Sequence, residues 1–158
     1  MVFTIRPTNR SELSVAVSLE EHREAADSAA WSGSGRAWHQ QVFEEPTQEH
    51  LVGETRGGIV GFAVLSGIGS PGIELNRIVL SHQWRGDGIA RMFLRELIAR
   101  AYGRHAARQV WLNVRSTDED SLAFYSSEGF VLDGSRPSIR FSPDGSTATL
   151  TVMTHQRP

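Results

Sequence analysis

Apolar residues recur along this chain at two spacings. Residues 3–6 alternate apolar and polar positions, the period of a pleated strand, and Pro7 ends the run. Between residue 11 and about residue 30 the apolar positions Leu13, Val17 and Leu19 or His22 return at near-helical intervals, and Ser32-Gly33-Ser34-Gly35 breaks the pattern. Residues 36–49, divided by Pro46, read as a short helix and a loop. Residues 51–56 and 59–66 are the arms of a predicted hairpin about Gly57-Gly58, and residues 67–72 lead to the next strand.

Residues 73–80 are rich in Ile, Leu and Val and read as a buried strand. From Ile89 the apolar positions Met92, Phe93, Leu97, Ile98 and Ala101 follow helical spacing, with Arg91, Arg95, Glu96, Arg100 and Arg104 largely opposite. This predicts an amphipathic helix that ends near Gly103. Residues 109–114 are the next strand. Ser116-Thr117-Asp118-Glu119 has the form of a capping box and predicts a short helix carrying Leu122, Phe124 and Tyr125, which stops at Gly129. Residues 130–132 and 148–153 are predicted strands, and the segment 137–146 between them holds a turn at Pro143-Asp144-Gly145. The order is strand, helices, three strands, helix, strand, helix, two strands, an α/β arrangement. A length of 158 residues suits one domain.

The stretch Gln83-Trp84-Arg85-Gly86-Asp87-Gly88-Ile89-Ala90 joins the most strand-like segment to the most regular helix. Its two glycines permit positive φ and close approach of a ligand. A helix N-terminus leaves four amides unpaired and carries partial positive charge, so the junction suits a phosphate or pyrophosphate and needs no metal.

Composition removes several other chemistries. There is no cysteine, hence no disulfide, thiolate nucleophile or zinc–thiolate site. All sixteen basic residues are Arg, which excludes a Walker A loop and a Schiff base. The net charge of −2 gives no basic excess for nucleic acid. His22, His39, His50, His82, His105 and His155 show no H-x-H or H-x-x-x-H spacing, so no metal site is expected. The N-terminus lacks the pattern of a signal peptide, and the longest apolar run, residues 59–65, is too short to span a bilayer. A cytoplasmic protein is the expectation.

Strand, then Gln83-x-x-Gly86-x-Gly88, then a basic amphipathic helix resembles the coenzyme A pyrophosphate loop of the GCN5-related N-acetyltransferase (GNAT) superfamily, Q/R-x-x-G-x-G/A. Further on, Tyr125-Ser126-Ser127-Glu128-Gly129-Phe130 resembles that superfamily's Y-x-x-x-G-F segment, in the expected order. The resemblance implies a three-layer α/β/α fold with a mixed, mostly antiparallel sheet of about six to seven strands and about four helices. It implies splayed fourth and fifth strands that admit acetyl-CoA, with coenzyme A as product. The implied activity is direct transfer of an acetyl group to an amine in a ternary complex, the acceptor being a small molecule or a peptide amine. Neither nucleic acid nor membrane is an expected partner, and a homodimer is admitted.

The same resemblance assigns residues. Cofactor contacts fall on the backbone of Ile78, Val79 and Leu80, on Gln83, Arg85, Gly86, Asp87, Gly88, Ile89 and Ala90, and on Tyr125. Asp118 stands where the family often has Asn, and a carboxylate is disfavoured beside a pyrophosphate. Tyr125 is the implied proton donor to the departing sulfur, since a phenol keeps its proton at neutral pH. Glu74 is either the base or an exposed strand residue. Trp31, Trp38, Phe43 and residues 137–148 are the expected acceptor region. Glu44, Glu45 and Glu49 suggest a cationic acceptor or form a solvated face. The competing reading is a non-catalytic acyl-CoA-binding module, against which Tyr125 argues. A Rossmann site is excluded because Arg91 replaces its third glycine.

Overall fold

The computed structural model describes residues 2–26, 35–81, 83, 88–141 and 147–157. In chain order the elements are β1 (Thr4–Pro7), a 3-10 turn (Arg10–Glu12), α1 (Leu13–Ala26), α2 (Arg36–Glu44), β2 (Gln48–Thr55), β3 (Gly58–Ser66), β4 (Gly72–Leu80), α3 (Ile89–Gly103), β5 (Gln109–Arg115), α4 (Glu119–Ser127), β6 (Val131–Phe141) and β7 (Thr147–Gln156). The seven strands form one sheet in the order β1-β2-β3-β4-β5-β7-β6. Only β4 and β5 run parallel, because α3 crosses over between them; every other pair is antiparallel. The mixed, mostly antiparallel sheet of the expectation is therefore present.

The apolar stripes place the helices on both faces. Ile89, Phe93, Leu94 and Leu97 of α3 are fully buried in the larger core with Leu51, Leu65 and Ile73 from the sheet, and Leu122 and Phe124 of α4 pack against the same cluster. Ala16 of α1 meets Val52, Phe62 and Val79 on the opposite face, with α2 packed against α1 and β2. The result is a three-layer sandwich. Among the described residues no helix is long and apolar enough to cross a membrane.

Strand β4 carries an irregularity that decides which side chains reach each face. Val64 of β3 pairs with Arg77, but Leu65 pairs with Leu75, so Asn76 is an extra residue in β4. A bulge interrupts the period of two and turns later side chains to the other face. Ile73 and Leu75 accordingly point into the α3 core, whereas Val79 points toward α1, and Ile78 and Leu80 take over the α3 side.

Several boundaries differ from those predicted. The hairpin pairs Thr55 with Gly58, so its two-residue turn is Arg56-Gly57 and Gly58, at φ 118°, opens β3. Among the described side chains of α1, Leu13, Ala16 and Glu20 are buried while Val17 and Leu19 are half-buried, and the His22 side chain lies outside them. The short helix is capped by Asp118 and not by Ser116, because the Asp118 carboxylate accepts the Ser121 N–H at 3.1 Å. Strand β6 is much longer than residues 130–132 and includes Pro137. It tolerates the proline because its pairing with β7 is irregular between Asp133 and Ser138. The Pro143-Asp144-Gly145 turn and the break at residues 32–34 lie outside the described residues.

Gly61 tests the packing of the sheet under α3. A Cβ there would sit 2.5 Å from the Val79 carbonyl oxygen and 3.0 Å from Phe93. Backbone cannot yield as a side-chain tip can, so Gly61→Ala is expected to destabilise the fold by about 1–3 kcal/mol. A urea titration should show a lower midpoint at an unchanged slope.

Candidate active site

The N-terminus of α3 is set up by Gly88 and Ile89. Gly88 takes the left-handed conformation, φ 75° and ψ −1°, and its carbonyl accepts the Met92 N–H at 3.1 Å. Ile89 is fully buried and anchors the first turn, while Ala90 is half-buried. Among the described residues nothing lies within 4 Å of the place a Gly88 Cβ would occupy. Open space beside the start of a fifteen-residue helix fits an anion such as a diphosphate. Gln83 is exposed, and Arg85, Gly86 and Asp87 fall outside the described residues, as do His82 and Trp84.

The second feature is a gap in the sheet. Strands β4 and β5 pair only where Gly72–Glu74 meets Gln109–Trp111. Beyond that point a pocket of about 90 Å³ opens, lined by Asn76, Arg77 and Ile78 of β4, Asn113 of β5, Glu20 of α1 and Tyr125 of α4. It therefore joins the two faces of the sheet. Ile78, Val79 and Leu80 remain paired to β3 on their other edge, opposite Ala63, Phe62 and Gly61.

Tyr125 reaches this pocket because α4 is fixed at both ends. Asp118 caps its start, where the carboxylate also accepts the Ser121 hydroxyl at 2.7 Å. At its end Glu128 pairs with Arg91 and with Arg95, the latter at 2.9 Å, which ties α4 to α3. The Glu128 carboxyl lies below its usual range, chiefly through the Arg95 hydrogen bond. Tyr125 itself is half-buried and meets the Phe130 ring edge-on at 5.7 Å. Packing and pocket lining are thus combined in one residue.

The carboxylates singled out in the sequence have partners within the protein. Glu74 sits at the closed end of the gap, where Asn113 donates to it at 3.3 Å, and it is not among the residues lining the pocket. The acidic trio is turned to internal partners. Glu44 pairs with Arg10 at 3.2 Å, Glu45 accepts the Thr47 hydroxyl at 2.9 Å, and Glu49 binds Arg100 at 2.7 Å and His105 at 2.9 Å. Burial raises the Glu49 pKa, but hydrogen bonds from Arg100 and His105 outweigh it and hold the carboxyl below its usual range. In the expected acceptor region Trp38 stacks under the Arg77 guanidinium at 3.8 Å, Phe43 lies 5.2 Å from that of Arg10, and Trp31 is outside the described residues.

What the sequence reading missed is a line of buried polar side chains behind the pocket. Nη1 of Arg77 donates to both oxygens of Glu20 at 2.8 and 2.9 Å. Glu20 Oε2 is 3.4 Å from His39 Nε2, His39 Nδ1 is 2.9 Å from His50 Nε2, and His50 Nδ1 is 2.7 Å from Thr8 Oγ1. The five buried polar or charged residues among those described are Thr8, Glu20, His39, His50 and Thr154, and four of them make this one line. The available signal was a carboxylate on an apolar helical stripe, Glu20 following Leu13 and Ala16.

Burial, and then the neighbouring His39, lower the His50 pKa to about 4, with Glu20 opposing. As pH falls from about 6.5 to about 4 the unfolded chain takes up a proton at His50 that the folded chain refuses, so stability is lost across that window. Thermal midpoints should decline over this range, and less steeply in His50→Gln.

The fold and the paired features, an anion-ready helix start and a pocket between diverging strands, define an α/β acyltransferase-like protein. The chain belongs to the acetyltransferase (GNAT) family, whose model matches residues 14–130. An N-acetyltransferase of Mycobacterium tuberculosis strain H37Rv, itself described as uncharacterized, is 30% identical over 96 residues, and the match spans 61% of each chain. The N-alpha-acetyltransferase RimI of the same strain is 38% identical over 91 residues, 55% of each chain. Among solved structures, spermidine N-acetyltransferase from Vibrio cholerae in complex with CoA and spermine superposes with a TM-score of 0.81 at 16% identity, covering 98% of this chain and 95% of that one. The ribosomal-protein-S18-alanine N-acetyltransferase from Escherichia coli gives 0.76 at 20% identity, covering 98% and 94%.

Proposed function

We propose that the protein is an N-acetyltransferase that takes acetyl-CoA and an amine acceptor together and transfers the acetyl group directly. The observation that carries this reading is the pocket in the β4–β5 gap, where Tyr125 from one face of the sheet and Glu20 from the other line the same space. Acetyl-CoA supplies an activated acyl carbon. The residues that hold it are Gly88, Ile89 and Ala90 at the start of α3, together with Gln83, Arg85, Gly86 and Asp87 before it. The backbone of Ile78, Val79 and Leu80 lies along the acyl arm. Amides fixed in a strand favour charge that develops on a carbonyl oxygen and need no reorganisation. As the carbon–nitrogen bond forms and the carbon–sulfur bond breaks, Tyr125 gives its phenolic proton to the departing sulfur, and the N–H proton lost by the acylated nitrogen restores the phenol. Asp118 caps the start of α4, and a carboxylate there is disfavoured beside a diphosphate.

Glu74 does not line the pocket, and it accepts a hydrogen bond from the amide of Asn113, which does. Its part is to hold Asn113. Glu74→Gln should lower turnover only a few-fold and leave the pH profile where it is, as steady-state rates from pH 6 to 9 will show. The acceptor class is approached with a panel comprising spermidine, peptides that begin with Ala and free amino acids. A thiol-reactive dye reports coenzyme A release, and the chain has no cysteine to add background. Release that requires an amine supports the proposal. Tight coenzyme A binding without release across the panel would make the protein a binding module.

A further inference from the structure

The buried line behind the pocket is an unusual use of a core. Replacing paired buried charges by apolar side chains of like volume is often neutral or stabilising, so Glu20, Arg77, His39 and His50 are poorly explained as packing. One atom points to their use. His39 is fully buried, and its Nε2 makes no hydrogen bond, although Glu20 Oε2 lies 3.4 Å away.

Two protonation patterns run along the line, and they differ in whether the Thr8 hydroxyl accepts or donates. If His50 donates from Nδ1 to Thr8, its Nε2 accepts from His39 Nδ1–H, and a neutral His39 then presents a bare lone pair at Nε2 toward Glu20. The opposite pattern aims a His39 Nε2–H at the carboxylate 3.4 Å away, where the two groups make no hydrogen bond. The first pattern leaves a base with no proton facing a carboxylate that lines the pocket. The rings approach nitrogen to nitrogen at 2.9 Å and so share a proton, and no group of three metal-ligating side chains occurs among the described residues.

We propose that Glu20 and His39 together accept the proton of the amine that enters the pocket, with His50 and Thr8 as positioning residues that fix His39 with Nε2 bare. The proposal rests on the N-acetyltransferase reading. An acceptor arriving as an ammonium ion gives one N–H proton to a Glu20 oxygen. The electron pair of that bond stays on nitrogen and becomes the nucleophilic lone pair. The carboxylic acid so formed passes its proton to His39 Nε2. Charge balances: ammonium, carboxylate and neutral imidazole become amine, carboxylate and imidazolium. The proton returns through Glu20 to water once the product has left.

The charged surroundings drive the second transfer. Arg77 from β4 holds both Glu20 oxygens, which favours the carboxylate over the acid and moves the proton on to His39. The groups around the His39 ring are Glu20 from α1, His50 from β2, the Arg77-capped Trp38 of α2, and the Phe62 ring edge-on at 5.0 Å from β3. His50 stays neutral at working pH because it is buried beside His39, so it accepts the hydrogen bond and does not compete for the proton.

Imidazole nitrogen NMR on the ligand-free full chain at pH 8 decides the arrangement without any acceptor. His39 and His50 should both be protonated at Nδ1 only, and a proton on His39 Nε2 would overturn the proposal. Kinetics with the best acceptor of the panel test the use. Glu20→Gln should lower kcat by about 10²-fold, leave the KM for acetyl-CoA unchanged, and give a rate that climbs with pH as the free amine does. Thr8→Val should lower kcat about tenfold and displace the acid limb, while Thr8→Ser, which keeps the hydroxyl, restores it. Full turnover with an unmoved profile in folded Glu20→Gln or Thr8→Val also overturns the proposal. Should wild-type protein acetylate no amine, the acetyltransferase reading fails on its own, and the NMR result still decides the His39 arrangement.

Discussion

Tyr125→Phe is expected to lower turnover by about 10²-fold or more while coenzyme A binds as before. The ring packs against Phe130 and the α3 core, and Phe keeps that packing. Only the hydroxyl is lost, and with it the proton proposed for the departing sulfur. Because α4 is held by the Asp118 cap and by Glu128 on Arg91 and Arg95, the backbone should not shift. Single-turnover rates beside coenzyme A titrations separate the two effects. A variant with wild-type turnover would confine Tyr125 to packing.

Gly88→Glu should reduce acetyl-CoA affinity by at least about 10²-fold, through two causes that add. The left-handed φ of 75° strains any residue with a Cβ. The new carboxylate would also stand in the open space beside the start of α3, where a diphosphate is proposed to bind, and like charges repel there. Gly88→Ala isolates the first cause, since its methyl group meets nothing within 4 Å among the described residues. Calorimetry should therefore rank affinity as wild type, then Ala, then Glu. Unchanged affinity in the Glu variant would remove this end of α3 from the site.

Local pattern carried much of the fold. Strand β4 was legible from its Ile, Leu and Val content, and helix α3 and strand β5 because their apolar residues keep one period over the whole element; the place of Tyr125 at the pocket was legible because Gly129-Phe130 follows it at fixed spacing. Glu20 was not, since its burial depends on Arg77, which is 57 residues away, and on His39 in another helix. His39 and His50 escaped for a related reason: an interval of eleven residues fits no ligand motif, yet α2 and β2 bring their rings together. The helix cap was misplaced because Ser116 and Asp118 both precede Glu119, and the Asp118 N–H already turns back to the Arg115 carbonyl at 3.0 Å. At Asn76-Arg77 two polar residues stand side by side and break the alternation begun at Ile73 and Leu75, but the pair alone does not say which of the two is the extra residue.

That extra residue makes β4 a strand in two phases. Residues before Asn76 are addressed to the α3 core, and Arg77 and Val79 after it are addressed to α1. Removing Asn76 would leave composition and strand propensity almost untouched, yet it would deliver the Arg77 guanidinium into the apolar layer beneath Phe93 and turn Ile78 toward Glu20. Substitutions at this place are tolerable in principle, whereas a change of one in length is not. Descendants of this sequence can vary what stands in β4 far more freely than how many residues it counts.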